Sequence, residues 1–112
     1  MADIKDTATQ VQEELRNTDE YAGLKEAFAT VKANEEANEI LQEFQSMQSL
    51  VYQKQQSGQQ VTEEEAAQAQ EISQKMTENE ITSDLMDKER ELNEMLNEVN
   101  SIIMKPIQEI YQ

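Results

Sequence analysis

The chain contains no Cys, no His and no Trp, and its 112 residues include two Gly and one Pro. Each absence closes a chemical route. Without Cys there is no disulfide framework, thiolate nucleophile, cysteine zinc site or iron–sulfur cluster held by the chain's own thiolates. Without His the commonest metal ligand and the commonest general base near neutral pH are both missing. The Glu-x-x-His di-iron bundle and the Ser-His-Asp arrangement go with them. Carboxylates, hydroxyls and lysines are what remain for chemistry.

Positive charge is also scarce. Nine Lys and Arg stand against twenty-four Asp and Glu, a formal net charge of −15 at pH 7. Such a surface repels phosphate backbones and anionic lipid headgroups, so direct nucleic-acid or membrane binding is not expected. No stretch approaches the roughly 18 apolar residues of a membrane span. The opening Met1-Ala2-Asp3-Ile4-Lys5-Asp6 lacks a basic start followed by an apolar run, so the expected location is the cytoplasm.

Aromatics are few as well, two Phe and three Tyr, while 37% of residues are hydrophobic. Burial must come from Leu, Ile, Val, Met and Ala, which suits helices packed on helices. The expectation is an all-α chain, one helical domain over residues 1–112. With so few breakers, helix ends are read from caps and from shifts in the apolar phase.

Five segments follow from that reading. The first, about Asp3 to Arg16, carries Ile4, Ala8, Val11 and Leu15 on one face, and the chain turns at Asn17-Thr18. Thr18 caps the second, where Tyr21, Leu24, Phe28 and Val31 step by three and four. Gly23 weakens its first turns by about 1 kcal/mol relative to Ala, or else admits a close helix contact. Asn34 caps the third, with Glu35 and Glu36 at the positive end of the helix dipole. Its stripe includes Ala37, Ile40, Phe44, Met47 and Val51, and Gly58 supplies a left-handed terminus after a polar end.

Thr62-Glu63-Glu64-Glu65 is a capping box that starts the fourth segment, whose modest face of Ala66, Ala69, Ile72 and Met76 needs a longer neighbour. The chain turns again near Asn79. The fifth segment, about Glu80 to Tyr111, has Ile81, Leu85, Leu92, Met95, Val99 and Ile102 in a seam that only Lys88 interrupts. Pro106 lacks an amide donor and crowds a preceding carbonyl, so a kink or a break is expected near Met104 to Pro106.

About 23 residues from Glu80 to Ile102 span roughly 35 Å as a helix, against a radius of gyration of about 13 Å for a compact domain of this size. The two long helices, third and fifth, are expected to form an antiparallel bundle or coiled-coil-like pair. A second copy is expected to cover part of the remaining apolar surface, a symmetric dimer being the default. Phe44, Met47, Val51, Leu92, Met95 and Val99 are the candidate oligomer seam, although a core position is the favoured reading of any one of them and only some are expected to pack across a dimer. Ile103, Met104, Pro106, Ile107 and Tyr111 are the candidate surface for a protein partner, unless the tail folds back on the core.

The run Ile102-Ile103-Met104-Lys105-Pro106-Ile107-Gln108-Glu109-Ile110-Tyr111 resembles the terminal motif of the YlbF/YmcA-like family of Gram-positive bacteria, its YheA-like branch most. Thr18-Asp19-Glu20-Tyr21 with Leu24-Lys25, Val31-Lys32-Ala33-Asn34 before Glu43-Phe44, and Gly58-Gln59 before Thr62-Glu63-Glu64-Glu65 fit the same family in the same order. The resemblance covers essentially the whole chain. It implies an all-α cytoplasmic protein that forms homo-oligomers through its long helices and has no known enzymatic activity. The relatives YlbF and YmcA act with a third protein as accessory factors in competence, sporulation, biofilm development and messenger RNA processing through ribonuclease Y. They carry cysteines associated with iron–sulfur clusters. This sequence has none, so no cluster is carried over and no cofactor is expected.

The leading functional expectation is therefore a non-catalytic helical interaction or adaptor protein. The alternative is a weak divalent-metal-binding or enzymatic protein that uses surface carboxylates, such as Glu35 with Glu39 or Glu91 with Glu94. Those pairs share a helix face, but no Asp-rich loop or Gly-rich phosphate turn accompanies them, and plain solvent exposure is the favoured explanation.

Overall fold

The computed structural model describes residues 3–112; Met1-Ala2 of the amino-terminal reading lie outside the described residues. Those residues form five helices and no strand: α1 Ile4–Arg16, α2 Asp19–Ala33, α3 Glu35–Gln56, α4 Glu63–Glu78 and α5 Glu80–Ile110.

Local capping chemistry sets almost every boundary. Asp3 and Asp6 form a capping box at the start of α1. Thr18 serves two helices at once: its hydroxyl donates to the Leu15 carbonyl at 2.7 Å and accepts from the Tyr21 amide at 3.1 Å. Asn34 accepts from the Ala37 amide at 2.9 Å, and Thr62 accepts from the Glu65 amide at 3.1 Å while Glu65 accepts from the Thr62 amide at 3.0 Å. Gly58, at φ 75°, ends α3 with paired bonds from Gln59 to the Lys54 carbonyl and from Gly58 to the Gln55 carbonyl. That pairing is the Schellman motif, and a Cβ at this φ would crowd the backbone.

The turn falls at Asn79, where the sequence places it. Asn79 Oδ1 accepts from the amides of Ile81 and Thr82 at 3.0 and 3.1 Å, so the residue caps α5 directly and no loop intervenes. Pro106 does not break the last helix, which runs on to Ile110. Pro106 has no amide to donate to the Ile102 carbonyl, and the exposure of that turn gives water access to it.

The chain divides into two compact units. One, residues 27–85, holds the core: Ala27, Val31, Ala37, Ile40, Leu41, Met76 and Leu85 are buried, together with Thr82. Here α4 packs against the longer α3, as its modest apolar face required. Full burial of Val31, Met76 and Leu85 contributes about 1.5–3 kcal/mol each. The Thr82 hydroxyl donates to the Met76 carbonyl at 2.7 Å, so the one buried polar side chain among the described residues is satisfied and closes the last turn of α4.

The other unit comprises residues 1–26 and 86–112. Among its described residues none is buried. Leu15, Tyr21, Leu24, Leu92, Met95 and Val99 are half-buried, and Gly23 lies beside the side chain of Lys88.

Candidate protein-interaction surface

Within residues 27–85, α3 presents Phe44, Met47 and Val51 at spacings of three and four, which places them on one face. All three are half-buried and line a groove of about 390 Å³, with Tyr52 beside them and Ala69 and Ser73 supplied by α4. The small side chains of α4 keep the groove open. No charged residue lines it, since Gln48 and Gln55 complete the wall. Below the groove, Lys54 and Glu65 form a hydrogen-bonded ion pair that ties the end of α3 to the start of α4. Lys54 and the Thr62 amide hold the Glu65 carboxyl below the usual glutamate range. A second, looser pair joins Lys75 to Glu43 at 3.7 Å and is half exposed.

Leu92, Met95 and Val99 follow one another on a single face of α5 and are half-buried. From Asn100 onward every residue is exposed. Ile103, Met104, Pro106, Ile107 and Tyr111 all fall in this stretch, with Ile103 60%, Ile107 47% and Ile110 71% accessible. Ile103, Ile107 and Ile110, at spacings of four and three, share one face as an apolar strip, with Leu96 on the same face two turns earlier beyond Asn100. An exposed strip of large aliphatic side chains on the last turns of a helix is the arrangement that helix-in-groove recognition uses.

The carboxylate pairs stand apart from this surface. Glu35, Glu39, Glu91 and Glu94 are exposed, and Glu91 and Glu94 border a groove with Asp19, Glu20, Glu98 and Lys88. Among the described residues no group of three or more Asp and Glu has the geometry to hold a metal ion, and no helix is long and apolar enough to cross a membrane.

Sequence reading found the two stripes but missed the wall of the groove. Ala69 was legible as part of the packing face of α4 but not as the wall of a groove, and Tyr52 lay off the heptad. The Lys54–Glu65 pair was equally hidden, because it joins positions eleven residues apart across a loop.

Comparison with known proteins bears on this arrangement. Residues 4–108 match the family described as control of competence regulator ComK, YlbF/YmcA. A UPF0342 protein of Pediococcus pentosaceus is 45% identical over 109 residues, covering 97% of this chain and 96% of its own. UPF0342 proteins of Staphylococcus epidermidis and Staphylococcus aureus are 41% and 42% identical over 108 residues, covering 96% of this chain and 95% of theirs. Among solved structures, a protein of unknown function (DUF964) from Bacillus stearothermophilus superposes with a TM-score of 0.89 at 27% identity, over 97% of this chain and 96% of that one. Bacillus subtilis RicA, solved in complex with RicF, superposes with a TM-score of 0.67 at 21% identity over the same shares and shares the fold. As its terminal motif and the order of its helix caps led one to expect, the chain belongs to the YlbF/YmcA family.

Proposed function

We propose that the chain is a non-catalytic helical interaction protein of the cytoplasm, an accessory regulator that works by binding other helices, including those of its own copies. The observation that carries this reading is the strip on the last turns of α5. Ile103, Met104, Ile107, Ile110 and Tyr111 are exposed together, although the same chain buries Val31, Met76 and Leu85 almost completely. Aliphatic side chains grouped in this way gain stability only when another surface covers them.

Self-association is the first use of that surface. The half-buried seam of Phe44, Met47 and Val51 on α3 and of Leu92, Met95 and Val99 on α5 joins the strip in the interface we assign to a homodimer. Protein partners are the second use, with Ile103, Met104, Pro106, Ile107 and Tyr111 as the contact set. The description of the family, control of the competence regulator ComK, supports a regulatory rather than a chemical role. So does the fold shared with RicA, which was solved with a protein bound to it.

Substitution of Ile107 by Asp tests the reading. It places a charge in the centre of the strip without touching a buried residue. The expected result is loss of association, measured by light scattering, with the helical content and melting temperature of the single chain retained. Unchanged association would remove the strip from the function.

A further inference from the structure

From the charge distribution we infer that the groove between α3 and α4 receives the last turns of α5 from a second copy of this chain. The inference rests on the self-association proposed above and names its two contacting surfaces.

Charge selects the pair. Two copies of a chain of net charge −15 repel one another over most of their surface. Residues 80–98 alone carry seven acids against Lys88 and Arg90. The groove beside Asn79 is edged by Glu36, Lys75, Glu78 and Glu80, and the groove beside Gly23 by Asp19, Glu20, Glu91, Glu94 and Glu98. The groove of Phe44, Met47, Val51, Tyr52 and Ala69 differs from both, having no charged residue in its wall. Residues 99–112 differ from the rest of α5 in the same sense, since Lys105 and Glu109 are their only charged side chains and cancel. A neutral apolar groove and a neutral apolar helix end are therefore the surfaces on which two such chains approach without like-charge repulsion.

Spacing fits as well. The groove positions Val51, Met47 and Phe44 step by four and then three in descending order, and Ile103, Ile107 and Ile110 step by four and then three in ascending order. An antiparallel approach thus sets each isoleucine against one groove residue along a shared length of roughly 10 Å. The small Ala69 on the opposite wall leaves room for the incoming helix, and a two-fold axis makes the contact twice.

The lack of native cysteine makes the contact directly testable, because every introduced thiol is unique. Chains carrying Met47→Cys and Ile107→Cys are mixed and oxidised mildly, and a second pair, Val51→Cys with Ile103→Cys, guards against a variant that fails to fold. The expected result is a disulfide-linked species of twice the chain mass in the mixture, in excess of what either variant gives alone. A mixture that yields no such excess for either pair of folded variants, or Ile107→Cys that links efficiently to itself, overturns the proposal. Sedimentation of the unaltered chain separates the two levels. A dimer without cross-linking rejects the groove but leaves self-association standing, whereas a monomer rejects both.

Discussion

The methylene chain of Lys88 on α5 lies over Gly23 on α2, where a Cβ built on the glycine would stand 3.4 Å from Lys88 Cδ. These are the two residues that look like faults in the sequence, a helix-weakening glycine and a lysine inside an apolar seam. Each accounts for the other. The absent side chain gives the aliphatic part of the lysine a surface to cover, in a groove that Asp19, Glu20, Glu91, Glu94 and Glu98 also line.

Gly23→Ala is therefore expected to stabilise the protein. Its methyl group meets Lys88 at ordinary van der Waals distance, and alanine gains up to about 1 kcal/mol of helix propensity. Thermal unfolding followed by circular dichroism should show a rise of a few degrees. Gly23→Leu should show none, since its larger side chain displaces the lysine.

Thr82→Val is expected to cost about 1–2 kcal/mol despite its matching shape, because the Met76 carbonyl loses its 2.7 Å donor in a buried setting. Urea unfolding is the appropriate measurement. An unchanged midpoint would mean that the hydroxyl merely fills space.

The junction between α3 and α4 should respond to both mutation and pH. Gly58→Ala is expected to cost about 1 kcal/mol through its left-handed conformation, and Thr62→Ala about the same through loss of the cap. Glu65 has a lowered folded-state pKa, caused first by its hydrogen bond from Lys54. Its contribution is accordingly complete above the pKa of a glutamate in the unfolded chain and is lost as pH falls through the lowered folded value. In urea titrations the wild type should exceed Lys54→Met at neutral pH, and the difference should shrink on acidification. A gap that stays constant down to strongly acidic pH would exclude the ion pair as its source.

Helix identity and helix ends were legible because their causes are local. Thr18, Asn34 and Thr62 act on amides three positions away, and Gly58 acts through its own φ. Pro106 was legible only as a disturbance. Whether a proline breaks a helix depends on whether water can reach the carbonyl it frees, and that is decided by exposure. Thr82, Ala69 and the Lys54–Glu65 pair were illegible for a related reason, since each acquires its role only when α4 is laid against a neighbour. The apolar strip of α5 could be read from its spacing, but its exposure could not.

That exposure underlies the proposed self-association, for which sedimentation equilibrium of the unaltered chain at micromolar concentration is the decisive measurement. The predicted result is a mass of twice the 12.9 kDa chain that falls toward the monomer value on Ile107→Asp substitution. A mass of 12.9 kDa for the unaltered chain throughout that range would contradict it.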